Sequence, residues 1–106
     1  MILEAARLNV RPEQAGAFED AFAGARALIA ATPGFQNLEL RRCLETEGLY
    51  LLLVWWETLE DHAVGFRRSA RYEEWRKALH HFYAPFPVVE HFAEPCYAAT
   101  GQPGSE

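Results

Sequence analysis

The side chains here with the most chemistry to offer are aromatic and basic, and they gather in the second half of the chain. His62 falls one turn into a predicted helix, six residues after Trp56 and on the helical face of Phe66. A neutral imidazole placed there can take a phenolic proton. The plain alternative is a helix histidine bonded to a neighbouring strand. Trp56 ends a strand, where a pocket between sheet and helices would open. Its flat indole suits stacking on an aromatic molecule, and its N–H suits an oxygen. Alternation lets only one of Trp55 and Trp56 face each side, and the reading takes Trp56 for the pocket and Trp55 for an interface. Arg67 suits holding an enolate or phenolate. Against this, Arg67 and Arg68 also suit surface ion pairing with Glu73 or Glu74. Phe66 is read as a wall. Tyr72 and Trp75 have spacing that fits core as well as wall, and Tyr83 precedes a proline-rich link that suits a pocket mouth. His91 is read as a second pocket base or a residue of a dimer interface, with the second favoured. His80 and His81 end a helix and suit its negative dipole end. No histidine pair and carboxylate stands at a metal-binding spacing, so no metal is expected.

The elements that must position these residues follow from periodicity. Residues 49–56, LYLLLVWW, carry no charge and no turn former, and they are apolar on both faces. That pattern reads as a strand covered on both sides. A chain of 106 residues can cover one face with its own helices, so a second copy of the chain is the simplest cover for the other. Residues 2–10 form a first strand, with Ile2, Ala6, Leu8 and Val10 on one face and Glu4 as the exception among them. Pro12 and Glu13 suit a helix start, and Ala15, Phe18, Phe22, Ala25 and Ile29 make its apolar stripe. Pro33 and Gly34 stop it. Residues 35–43 read as an edge strand with one charged side, and Gly48 closes the hairpin into residues 49–56. Thr58 is a good N-cap with acids in the following turn. The pattern shifts phase near Ser69, which predicts a broken helix, 59–68 then 70–82. Pro85 and Pro87 keep the next link extended, and residues 88–92 are the last strand. The order βαββαβ is that of an α+β, ferredoxin-like fold: a four-stranded antiparallel sheet with helices on one face. Residues 1–99 are read as one domain and 100–106 as a flexible tail.

Composition narrows the partners. Half the residues are hydrophobic and the net charge is -5. With no basic stripe, nucleic acid and anionic membranes are poor partners. Cys43 and Cys96 lie far apart without a CxxC, which is neither a disulfide framework nor a zinc site, and neither sits beside a base. The first residues lack a basic region followed by an apolar core, so a cytoplasmic protein is expected.

The chain resembles the antibiotic biosynthesis monooxygenase family of dimeric α/β barrels. The carriers are Arg7-Leu8-Asn9-Val10 before a helix, the Thr32-Pro33-Gly34-Phe35 turn, Val54-Trp55-Trp56-Glu57-Thr58, Asp61-His62, Phe66-Arg67-Arg68-Ser69 and Val89-Glu90-His91-Phe92. The resemblance covers about residues 2–95. It implies a homodimer and a pocket for a small aromatic molecule. It further implies a cofactor-independent oxygenase acting on a phenol, quinol or anthrone, with His62 and Arg67 as catalytic residues. Trp56, Phe66, Tyr72, Trp75, Tyr83 and His91 would contact the substrate. Family members also include haem-degrading enzymes, isomerases and proteins without known activity. The haem branch uses an Asn and a His at positions that align with Ala6 and about Arg76, so haem is not expected. A non-catalytic binding module and an isomerase remain the alternatives.

Overall fold

The structure, a computed structural model, describes residues 1–101, and residues 102–106 of the expected tail lie outside them. Strand β1 (Ile2–Asn9) leads through a 3₁₀ turn (Pro12–Gln14) into helix α1 (Ala15–Ala30). Strands β2 (Phe35–Arg42) and β3 (Leu49–Trp56) form the hairpin. A π-helical segment (Asp61–Phe66) and helix α2 (Ala70–Leu79) follow, then a 3₁₀ turn (His80–Phe82) and strand β4 (Val89–Phe92). The sheet order is β2-β3-β1-β4, all neighbours antiparallel. The fold is α+β and ferredoxin-like, with β2 at an edge.

The sheet has two unlike faces because side chains alternate along each strand. Ala6, Leu8, Tyr50, Leu52, Val54 and Trp56 are buried against Phe18, Phe22, Ile29, Phe66, Trp75 and Leu79 of the helical layer. Each such side chain contributes roughly 1.5–3 kcal/mol by leaving water. The opposite face carries Leu51, Leu53 and Trp55, each partly or largely exposed in the single chain.

Two glycines shape the turns that deliver the site. Gly48 (φ +83°) lies where a Cβ would meet the Val10 carbonyl oxygen at 2.2 Å. Gly34 (φ +89°) lies where a Cβ would meet the Asp61 carboxylate at 2.0 Å. Both conformations belong to glycine. The close approach at Gly34 leaves room for a reciprocal cap: Asp61 N–H donates to Thr58 Oγ1 (3.2 Å), and Thr58 N–H to Asp61 Oδ2 (3.0 Å). The turn after α1 thereby sets where the segment carrying His62 begins.

The predicted break near Ser69 is present. Ser69 caps α2 by accepting the Tyr72 N–H at 3.2 Å. The winding before it differs from an ordinary helix, since Arg67 N–H donates to the His62 carbonyl, five residues back, at 3.1 Å. In an α-helix five residues separate side chains by about 140°. The i→i+5 winding returns them to one side, so His62, Phe66 and Arg67 face the same space. Helix α2 stops at Leu79, three residues before its predicted end, and finishes as the 3₁₀ turn.

Candidate active site

The residue at the centre of the site is the one that broke the pattern of the first strand. Glu4 lies on the helix-covered face of β1 and is 5% exposed. Strand register surrounds it. His91 on β4 is its direct cross-strand partner, and Trp56 on β3 sits diagonally across, opposite Ile2. The Trp56 indole N–H donates to Glu4 Oε1 at 2.9 Å. His62, 3% exposed, arrives from the π-helical segment above. Its Nε2 stands 3.4 Å from Glu4 Oε1, and its Nδ1 shares a hydrogen bond of 2.8 Å with His91 Nε2. The imidazole lies nearly parallel to the Trp56 ring, at 5.4 Å and 24°. His62 and His91 are thus hydrogen-bonded to each other, with the Glu4 carboxyl close to the inner ring nitrogen, and the row runs from the core to the exposed edge of β4.

Burial acts against charge along the whole of this row. Burial pushes the Glu4 carboxyl up, opposed by the Trp56 N–H and then by Arg67. Burial pushes His62 down to about 3, and the charges of Arg67 and His91 act in the same direction. His91 is also lowered, by desolvation first and Arg67 second. His62 therefore rests as the neutral imidazole and holds an added proton poorly. A buried imidazolium is too costly to accumulate. What the geometry allows is relay: one ring nitrogen accepts a proton while the other passes one on, and the ring swaps tautomer without holding a charge.

Glu4 and His62 open onto a cavity of about 40 Å³ between sheet and helices. Of the residues singled out in the sequence, His62, Phe66, Arg67, Tyr72, Trp75 and Tyr83 line it. The Arg67 guanidinium lies 5.7 Å from the centre of the Tyr72 ring. The surface pairing considered for Arg67 does not form, because Glu73 bonds Arg76 at 2.9 Å instead. Trp56 and His91 touch His62 from outside the lining. The reading of Trp56 as a stacking wall needs correction. Its face is covered by His62 and its N–H is engaged by Glu4, so it positions the pair rather than meeting a ligand. His91 belongs to the helix-covered face shared with Glu4, not to the bare face where an interface was favoured.

Two titratable lining residues were missed. Glu4 had a legible signal, an acid among the apolar positions of a strand. His80 was assigned to a helix end, but it lines the cavity and packs its ring against Tyr83 and Phe86. Among the described residues no cluster of three or more metal-ligating side chains occurs. No helix among them is long and apolar enough to cross a membrane.

The sequence profile described as antibiotic biosynthesis monooxygenase matches residues 1–78. The chain belongs to this family. YczJ of Bacillus subtilis (strain 168), an uncharacterised relative, is 49% identical over 94 residues, covering 89% of this chain and 99% of that protein. The crystal structure of a candidate antibiotic biosynthesis monooxygenase from Bordetella bronchiseptica is 37% identical. It has a TM-score of 0.84 and covers 89% of this chain and 96% of the other. SnoaB, a cofactor-independent oxygenase from Streptomyces nogalater, shares the fold at 20% identity and a TM-score of 0.73, with 96% of each chain covered. Glu4, His62, Arg67 and His80 are among the groups of this chain that line the space between sheet and helices.

Proposed function

We propose that this chain is a cofactor-independent monooxygenase acting on a small phenol, quinol or anthrone-like molecule. The observation that carries the reading is the relay from Glu4 through His62 to His91 beside an aromatic-lined cavity. Membership of the family, and the likeness of fold to a cofactor-independent oxygenase, agree with it. His62 Nε2 takes the substrate proton and His91 receives one from Nδ1 at the solvent edge. Arg67 holds the oxyanion left behind, a charge it stabilises best where water is excluded. The resulting carbanion transfers an electron to O₂, the radicals join in a C–O bond, and loss of water from the peroxide leaves a carbonyl. A CH₂ group and O₂ thus become C=O and H₂O. The bare face of the sheet, with Leu51, Leu53 and Trp55, packs on a second copy, giving a cytoplasmic homodimer.

The test is oxygen uptake with a panel of anthrones and hydroquinones and no added cofactor. Uptake that needs the protein and disappears in His62→Ala supports the reading. Tight binding without uptake moves it to a binding module.

A second reading has its own support. Glu4 and His62 are two acid–base groups on one small cavity, which suits proton shuttling in an isomerase for a small carbonyl compound. Solvent deuterium appearing in such a compound, without oxygen uptake, would favour it.

A further inference from the structure

We infer that Phe86 is the specificity-determining gate of this cavity, admitting flat aromatic molecules between β1 and the strap formed by residues 84–88. The inference rests on the aromatic-substrate reading above for the ligand class and on geometry alone for the gate.

The closed cavity, at about 40 Å³, is too small for its proposed ligand. A single aromatic ring needs on the order of 150 Å³, so part of the lining moves before any ring enters. Most of the lining belongs to strands, helical turns or the tyrosine bridged to Val10. Phe86 and Pro87 are the exception. The strap leaves the sheet after Ala84 N–H donates to the Asn9 carbonyl at 3.1 Å, and it rejoins at Val89. Between those points no backbone hydrogen bond ties residues 85–88 to the rest of the described chain. Pro85 and Pro87 have no N–H to offer. Such a segment opens at low cost.

Phe86 is 65% exposed although it covers the cavity. Its recorded ring contact is an edge-on approach to His80 at 4.8 Å. A large apolar side chain held so loosely is poorly explained as core. The far side of the strap adds the second observation. Phe86, Pro87 and Ala6 also line a groove of about 370 Å³ that is open in the single chain, together with Ala5, Arg7 and Leu51 of the bare sheet face, so in the proposed homodimer the second copy forms its outer wall. One strap therefore separates a buried acid–base cavity from that groove, with Phe86 in the wall of both. Swinging Phe86 away from His80 joins them. A single ring needs a small opening and a fused system a larger one, so the size of residue 86 sets the substrate limit.

The test uses stopped-flow quenching of tryptophan fluorescence under argon, with hydroquinone and 1,4-dihydroxynaphthalene as probes. When binding waits on a conformational step, association is slow. Phe86→Ala should speed association of the two-ring probe by about tenfold, and more than that of the one-ring probe. Phe86→Trp should slow both. Access is also read without any phenol, by acrylamide quenching of Trp56 and Trp75, the two indoles of the helix-covered side, in a Trp55→Phe background. Phe86→Ala should raise that quenching. If neither association nor quenching responds to Phe86→Ala in a variant with native circular dichroism, the gate is wrong. If quenching rises while the wild type binds no phenol, the gate stands and the aromatic reading falls.

Discussion

Two glutamates in this molecule accept a hydrogen bond from the two ends of β3, and their carboxyls are shifted in opposite directions. Glu4 takes the Trp56 N–H in the core, beside the neutral His62. Glu19 of α1 takes the Tyr50 O–H at 2.5 Å and a two-pronged contact from Arg42 at 2.6 and 2.7 Å near the surface. The Arg42 and Tyr50 hydrogen bonds hold Glu19 down to about 2, while burial pushes Glu4 up. Tyr50 in turn is raised to about 12, by burial and then by Glu19. The difference is the counter-charge. A guanidinium keeps its proton at any ordinary pH, so the Glu19 cluster is a fixed pin between α1 and the sheet. An imidazole trades protons, so the Glu4 cluster can move one. Donor and acceptor count alone would not separate the two.

The comparison can be broken most sharply at His62. His62→Ala should lower kcat with an anthrone by about 10²–10⁴-fold, the range for losing a positioned acid–base group. Oxygen uptake reads it, and an unchanged rate would make the buried cluster as passive as the surface one. Glu4→Gln comes next. It keeps an acceptor for Trp56 but removes the titratable carboxyl at the inner end of the relay, so turnover should fall about tenfold to a hundredfold.

The same substitution separates the clusters by pH. The folded Glu4 carboxyl binds its proton more tightly than the unfolded one does. Its contribution is therefore present at low pH and lost as pH rises from 4.5 through the raised value. Glu4→Gln should raise the thermal midpoint by a few degrees near pH 8, and less near pH 4. His62 runs the other way. Its contribution is present above 6.5 and lost as pH falls toward 3. Melting curves across that window should flatten in His62→Gln.

At the surface cluster the effects are smaller. Tyr50→Phe should cost about 1 kcal/mol by leaving the partly buried Glu19 short of a donor, with turnover unchanged. Arg42→Ala should cost less, because an exposed ion pair contributes little, and the loss should fade as pH falls from 4.5 toward 2. Urea unfolding measures both. A large loss of turnover in either variant would show that the pin also serves the site.

Much of this was legible along the chain. The two faces of β3, the caps at Thr58 and Ser69, and the turns at Gly34 and Gly48 all act within a few residues of themselves. His62, Phe66, Tyr72 and Trp75 meet at one cavity because each lies on the inward face of its own element, and periodicity reports faces. Glu4 was visible as an anomaly, but its meaning was not. Whether a lone acid on an apolar face is paired, solvated or poised depends on what stands opposite it in the sheet.

The sequence by itself determined the order of elements, their inward faces and the family, because periodicity, capping residues and turn glycines are local. Only the tertiary structure decided that Glu4, Trp56 and His91 are neighbours, since strand register joins residues more than fifty positions apart. It also decided that Arg67 faces the cavity, because the π winding after Asp61 brings it round to the side of His62. Finally, it placed Phe86 over His80, a contact between a loose strap and a helix end that no local pattern encodes.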